Sequence, residues 1–247
     1  MMKLLGACLS AEWMKLRHSY LWLVLLTLPL VSVLIGCANF YMNQAALQKE
    51  WYSLWSQVSL FYAQFFLPML IAICCAYLCR LEHVNQNWNM LMSAPVPVAG
   101  LFFAKLIVAG VLLGLVQFIF AILYVIGGLG VGFTVSELPE ELPGWLLHGW
   151  MASVTLSSLQ LALSLRIRSF AAPVGIGLCA AFVGLGFYVA KAGLLYPHSL
   201  LTVGMGALSQ EGLSAQGQWT SVVMNGLYTA LFSAVAVRRL RTADVVA

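Results

Sequence analysis

Charge is what this chain has least of. Asp, Glu, Lys and Arg make up 8% of its 247 residues, and 62% are hydrophobic; soluble domains carry about 25% charged and about 45–50% apolar residues. That balance excludes an ordinary water-soluble domain. Several chemical signatures are missing as well. There is no G-x-x-x-x-G-K-S/T loop to cradle phosphates, so the chain has no ATPase site of its own, and no H-E-x-x-H pair for a zinc hydrolase. The six cysteines (Cys8, Cys37, Cys74, Cys75, Cys79 and Cys179) show no C-x2-C spacing and read as small apolar filler. An ion-coupled secondary transporter places Asp, Glu or His deep in its spans. Here His148 falls near a span end, and His18, His83 and His198 fall in connections or flanks.

What is present is a set of long apolar runs. Six stretches, at about 20–40, 58–79, 101–126, 145–165, 171–190 and 219–237, contain no Asp, Glu, Lys or Arg apart from Lys105. Each approaches the roughly 20 residues that a helix needs to cross a hydrocarbon core of about 30 Å. A transmembrane barrel would show alternating segments of about ten residues instead. The expected fold is therefore an all-α membrane protein with six transmembrane helices, forming a single transmembrane domain over 1–247. Leu34-Ile35-Gly36-Cys37 resembles a lipoprotein cleavage box, but its apolar run is longer than the roughly 7–15 residues of a signal-peptide core, so the first stretch is read as a retained span.

With the first span running outward, ten basic residues lie inside: Lys3, Lys15, Arg17, Arg80, Lys105, Arg166, Arg168, Arg238, Arg239 and Arg241. Only Lys49 and Lys191 lie outside. The positive-inside rule then places both termini in the cytoplasm. Glu50, Glu137, Glu140, Glu141 and Glu211 gather on the opposite side. The formal charge of +4 follows from topology and implies no nucleic-acid partner.

Four local features stand out. Leu5, Leu9, Trp13, Leu16 and Tyr20 recur at helical spacing ahead of the first span and predict an interfacial helix with basic flanks, although Glu12 borders the stripe. Gly110 and Gly114, Ala180 and Gly184, and Gly226, Ala230 and Ala234 have the small-x-x-x-small spacing of close helix packing in lipid. Trp51, Tyr52 and Trp55 suit the outer headgroup layer. The connection 192–218 is apolar but broken by Pro197 and glycines, which suits a re-entrant or interfacial hairpin shielded by protein.

The inner segment 82–97 is the most distinctive. Residues 82–92 can form a short helix with Trp88, Leu91 and Met92 on one side, and Pro95 and Pro97 stop it. Trp88 reads either as a membrane anchor or as a partner contact. Lys105, at the start of the next span, reads by default as a snorkelling lysine. The triad Glu137, Glu140 and Glu141 reads as a solvated face or as an entry point for cationic peptide.

With Glu12, Trp13, Lys15 and Arg17 ahead of the first span, and Glu82, Trp88, Leu91, Pro95, Val96 and Lys105 around the inner connection, the chain resembles ABC type 2 exporter permeases, most closely the lantibiotic immunity group of bacteria. The resemblance implies an elbow helix carrying Glu12, Trp13, Lys15 and Arg17. It implies a cytoplasmic coupling helix in which Glu82, Trp88, Leu91 and Pro95 meet a dimer of cytosolic ABC ATPase subunits. ATP and Mg would be used by that partner, with no cofactor bound by this chain. A second permease copy or a related permease would complete the membrane half, in the bacterial cytoplasmic membrane, moving hydrophobic or amphipathic peptide or another lipophilic compound. The competing readings are a stand-alone secondary transporter and an intramembrane enzyme.

Overall fold

The computed structural model describes residues 2–17, 19–83, 97–208 and 214–242, and among these the regular elements are all helical. In chain order they are α1 (Met2–Leu16), α2 (Leu21–Met42), α3 (Trp51–Phe61), a π-helical turn (Tyr62–Phe66), α4 (Leu67–His83), α5 (Val98–Val131), a 3-10 turn (Val135–Glu137), α6 (Leu142–Ser164), α7 (Ala171–Val189), a 3-10 turn (Gly193–Leu195), the short α8 (Ser199–Gly204) and α9 (Ala215–Thr242).

Among the described residues five helices are long and apolar enough to cross a membrane: Leu21–Met42, Trp51–Arg80, Val98–Val131, Ala171–Val189 and Ala215–Arg241. The sequence reading expects six. α6 is long enough, at 23 residues, but Ser153, Thr155, Ser157, Ser158, Gln160 and Ser164 make it more polar than the other five. Those side chains are buried, because α6 packs against α4, α5, α8 and α9 and its solvent is the rest of the protein. Ser153 and Ser157 donate back to the carbonyls of Gly149 and Ser153, at 2.8 and 2.7 Å, which satisfies hydroxyls that lipid could not. α6 also runs the length of the α3–α4 unit. At one end the Tyr52 hydroxyl donates to Glu141 Oε2 at 2.6 Å, and at the other His83 Nε2 hydrogen-bonds the Ser164 carbonyl at 2.8 Å.

The second long helix begins at Trp51, seven residues before the predicted 58, and this corrects the reading of its aromatics. Trp51 and Trp55 are 1% and 0% exposed. Their indole N–H groups donate to the Thr134 and Met205 carbonyls, both at 2.9 Å, and Trp55 stacks on Trp145 with centroids 4.9 Å apart. They are core residues: composition alone cannot distinguish a tryptophan at the headgroup layer from one that finds its acceptor inside. The π turn follows because Pro68 has no N–H to give to the carbonyl four residues back. Within that turn Gln64 Nε2 donates to the Ala181 carbonyl at 2.7 Å, and Gln64 Oε1 accepts from Thr202 at 3.1 Å, tying α7 and α8 to the kink. Gln64→Leu is expected to lower stability by about 1–3 kcal/mol, since it orphans buried groups; thermal unfolding in detergent reads the change.

The described residues of the interrupted stretch 192–218 pack against the bundle. Leu200, Leu201 and Met205 are fully buried, and the Ser199 hydroxyl donates to the Gly184 carbonyl at 2.6 Å. The small-residue motifs divide. A Cβ on Gly114 would meet Trp150, and one on Gly184 would meet His198 and Ser199, whereas Gly226 has nothing within 4 Å and looks onto an open groove. A backbone-to-backbone approach lies elsewhere, at Gly36, where a Cβ would lie 2.5 Å from the backbone of Val58.

Candidate functional site: a buried charge cluster at the foot of the bundle

α1 packs on α5, and its buried face is Cys8, Glu12 and Leu16. Of the predicted stripe, Leu16 lies on this face. Leu5 and Leu9 are half-buried, while Trp13 and Tyr20 are exposed. Trp13 meets Trp22 edge-on at 6.3 Å, and Trp22 Nε1 donates to the Leu16 carbonyl at 2.9 Å, which fixes the corner between α1 and α2. Arg17 is exposed. Glu12, which sat awkwardly beside an apolar stripe in the sequence, points into the protein.

It does so because three other charges meet it. Lys105 Nζ lies 3.0 Å from Glu12 Oε1, 2.7 Å from Glu82 Oε1 and 2.6 Å from the Leu78 carbonyl. Its three N–H donors thus have three acceptors. Lys15 Nζ reaches the same two carboxylates, at 2.8 Å to Glu12 and 2.6 Å to Glu82. Glu12, Glu82 and Lys105 are 4%, 1% and 2% exposed. Two positive and two negative charges cancel, which is the condition for holding ions out of water at a tolerable desolvation cost. Lys105 is not a snorkelling lysine: its ammonium turns into the protein, because two carboxylates there outweigh the pull of the interface. The second oxygens, Oε2 of Glu12 and of Glu82, are buried without a hydrogen-bond partner. The cluster is therefore electrically closed but retains accepting capacity.

The cluster joins three elements. Glu82 sits in the last turn of α4, Lys105 lies two turns into α5, and Glu12 and Lys15 are on α1. The intervening residues 84–96, with Trp88, Leu91 and Pro95, lie outside the described residues, but the helices that lead into and out of them are clamped to α1. Around this end gather further cations. Arg80 lies over the Phe170 ring at 6.0 Å, and Arg241 shares a groove with Ala99 at the start of α5. The opposite end carries Glu140 and Glu141 beside Gln218 of α9. The four-charge set was missed as a set in the sequence. Its signal was available: Glu12 beside an apolar stripe and Lys105 inside an apolar run are two misplaced charges of opposite sign.

An assembly of this kind is a bundle of long apolar helices with a buried charge cluster at its foot; among the described residues no group of three or more His, Cys, Asp and Glu is placed to hold a metal. The model of the ABC-2 family transporter proteins matches residues 8–184, from α1 to α7 and including all four clustered charges, and the chain belongs to that family. It is a multi-pass membrane permease component of an ABC-2 transporter. Such a component lacks the ATPase domain and works with an ATPase subunit. No curated protein matches the chain.

Proposed function

We propose that this chain is the membrane half of an ABC exporter that moves hydrophobic or amphipathic peptide, in the manner of lantibiotic immunity permeases, with six spans, both termini in the cytoplasm and the acidic end outside. The observation that carries the reading is the cluster of Glu12, Lys15, Glu82 and Lys105. It binds the N-terminal helix to both helices flanking 84–96, so a push on that segment by an ATPase is delivered to α1, α4 and α5 together rather than dissipated in a loop. Glu82, with its carboxylate buried, serves this function as the anchor of the coupling segment, and Trp88, Leu91 and Pro95 supply its contact surface. Support for α6 as the sixth span comes from its two end contacts, Tyr52–Glu141 and His83–Ser164, which match it in length to a helix long and apolar enough to span. The excess of Lys and Arg at the α1 end supports the orientation. Two permeases, identical or related, would complete the unit, and nucleotide binding to the ATPase pair would shift the bundle between inward-closed and outward-open arrangements.

The test is co-purification of the tagged chain with its ATPase, together with ATPase stimulation. Trp88→Ala is expected to weaken association by roughly 30-fold, the effect of removing an interface anchor worth about 2 kcal/mol. Unchanged association and stimulation would remove 84–96 from the interface. Cells with and without the pair, challenged with a panel of membrane-active peptides and other lipophilic compounds, test the cargo.

A further inference from the structure

Between α5, α6 and α9 runs a groove of about 830 Å³, with Phe103, Trp150 and Val154 on one side, Gly226 and Ala230 of α9 on the other, and Arg241 at one end. We propose that it holds an anionic phospholipid, with an acyl chain along α9 and the headgroup phosphate at Arg241. The proposal does not depend on the cargo. It rests on the proposed orientation only for which leaflet supplies the lipid.

The α9 lining runs from Val222 to Arg241, about 28 Å at about 1.5 Å per residue. A groove nearly as long as a hydrocarbon core of about 30 Å thus ends on a cation at headgroup depth. Its wall is fixed, because Trp150 Nε1 donates to the Gly110 carbonyl at 2.8 Å, and its α9 side is open, because a Cβ on Gly226 would meet nothing within 4 Å. Asn225 and Thr229 also line it, but their polar atoms are taken. Asn225 Oδ1 accepts from Thr155 at 2.7 Å, Asn225 Nδ2 donates to the Ser221 carbonyl at 2.9 Å, and Thr229 Oγ1 lies 3.0 Å from Thr155 Oγ1. Along its length the groove therefore offers apolar contact and few free hydrogen-bonding groups, which suits an acyl chain and would leave an extended peptide backbone unsatisfied.

Charge decides what sits at the end. Arg241 makes no ion pair with the described residues, and no Asp or Glu is among the described residues lining the groove. Glu12 and Glu82, at the same end of the bundle, are already held by Lys15 and Lys105. Beside Arg241 the lining includes Ala99, in the first turn of α5, which has no side-chain cap and no acidic residue. The positive end of that helix dipole adds to the guanidinium, and an anionic headgroup is the complement of both. A second copy of the chain is the poorer occupant. Inserted in the same direction, it would bring its own basic end to the depth of Arg241 and set like charges together.

The chain purified in maltoside detergent is titrated with dioleoyl-phosphatidylglycerol and with dioleoyl-phosphatidylcholine, and the bound lipids are counted by native mass spectrometry. The expected result is one phosphatidylglycerol held roughly five- to tenfold more tightly than phosphatidylcholine, the effect of a cation at a headgroup. Arg241→Gln should abolish the preference and Arg241→Lys should keep most of it. Arg239→Gln should keep it in full, since Arg239 is exposed on the same helix but is not among the lining residues. Gly226→Leu, which fills the groove, should weaken both lipids alike. Equal retention of the two lipids by the unaltered chain overturns the proposal, as does an equal loss of preference in Arg241→Gln and Arg239→Gln, which would mean diffuse surface charge. A dimer that forms without the lipid and is broken by Gly226→Leu also overturns it and gives the groove to a second copy. Detergent binding is blind to the leaflet. A failed preference would therefore leave the proposed orientation standing, and a failed orientation would leave the site standing with its lipid drawn from the other leaflet.

Discussion

Lys105→Met is expected to destabilise the protein by about 3–5 kcal/mol, because breaking a buried ion cluster on one side leaves uncompensated charge in low dielectric. Without Lys105, Glu12 and Glu82 would share only Lys15, whose side chain is 28% exposed, and the Leu78 carbonyl would lose its donor. A snorkelling lysine at a span end would give a different answer, within about 1 kcal/mol. The two accounts are separated by thermal unfolding of the detergent-solubilised chain. Lys105→Met/Glu82→Gln restores neutrality and should lose less than the sum of the two single changes, with a coupling of about 2 kcal/mol. Additive losses would mean that the cluster does not act as a unit.

The same arithmetic bears on function. A neutral cluster of four charges is bistable in a way that an apolar contact is not: while all four remain together their desolvation is offset, and separating any pair costs several kcal/mol. α1, α4 and α5 therefore move at this end as one body, or the cluster must open to water. Under the coupling role proposed for the segment 84–96, a displacement of that segment would reach all three helices together. The free Oε2 atoms of Glu12 and Glu82 give the cluster room to exchange partners without breaking.

The spans were legible because lipid imposes a single rule on every exposed surface, and the apolar runs of α2, α5, α7 and α9 obey it. α6 departs from that rule because it touches protein on most sides, so its composition reports its neighbours and not the bilayer. For the same reason Trp51 and Trp55, taken from composition as interface residues, proved to be core: their acceptors, Thr134 and Met205, are 83 and 150 residues away. The charge cluster lies between these extremes. Glu12, Lys15, Glu82 and Lys105 were each singled out, but their meeting depends on α1 folding back onto α5, which no local pattern encodes. Residues 84–96, the segment richest in sequence signal, lie outside the described residues.

Gly36→Leu carries the second large effect. At Gly36 the α2 backbone comes so close to α3 that a Cβ would stand 2.5 Å from Val58 Cα and 2.9 Å from its nitrogen, atoms that no rotamer can move. In lipid, helices associate through close packing rather than through expulsion of water, and α2 has only a third of its apolar window buried in the protein. Its attachment to α3 is thus concentrated on one narrow face, where Asn39 Nδ2 also donates to Gln57 Oε1. Inserting a leucine there should cost about 3 kcal/mol or more, at the upper end of overpacking, and Gly36→Ala somewhat less. The control is Gly226→Leu, the same chemical change on α9 where nothing lies within 4 Å; monomer stability should not move. Loss of stability at position 226 but not at 36 would mean that the groove beside α9 is closed and the α2–α3 approach is loose, the reverse of the packing described. Equal, small effects at both would mean that α2 is held by its ends alone, by the Trp22–Leu16 corner and the first turns beyond Met42.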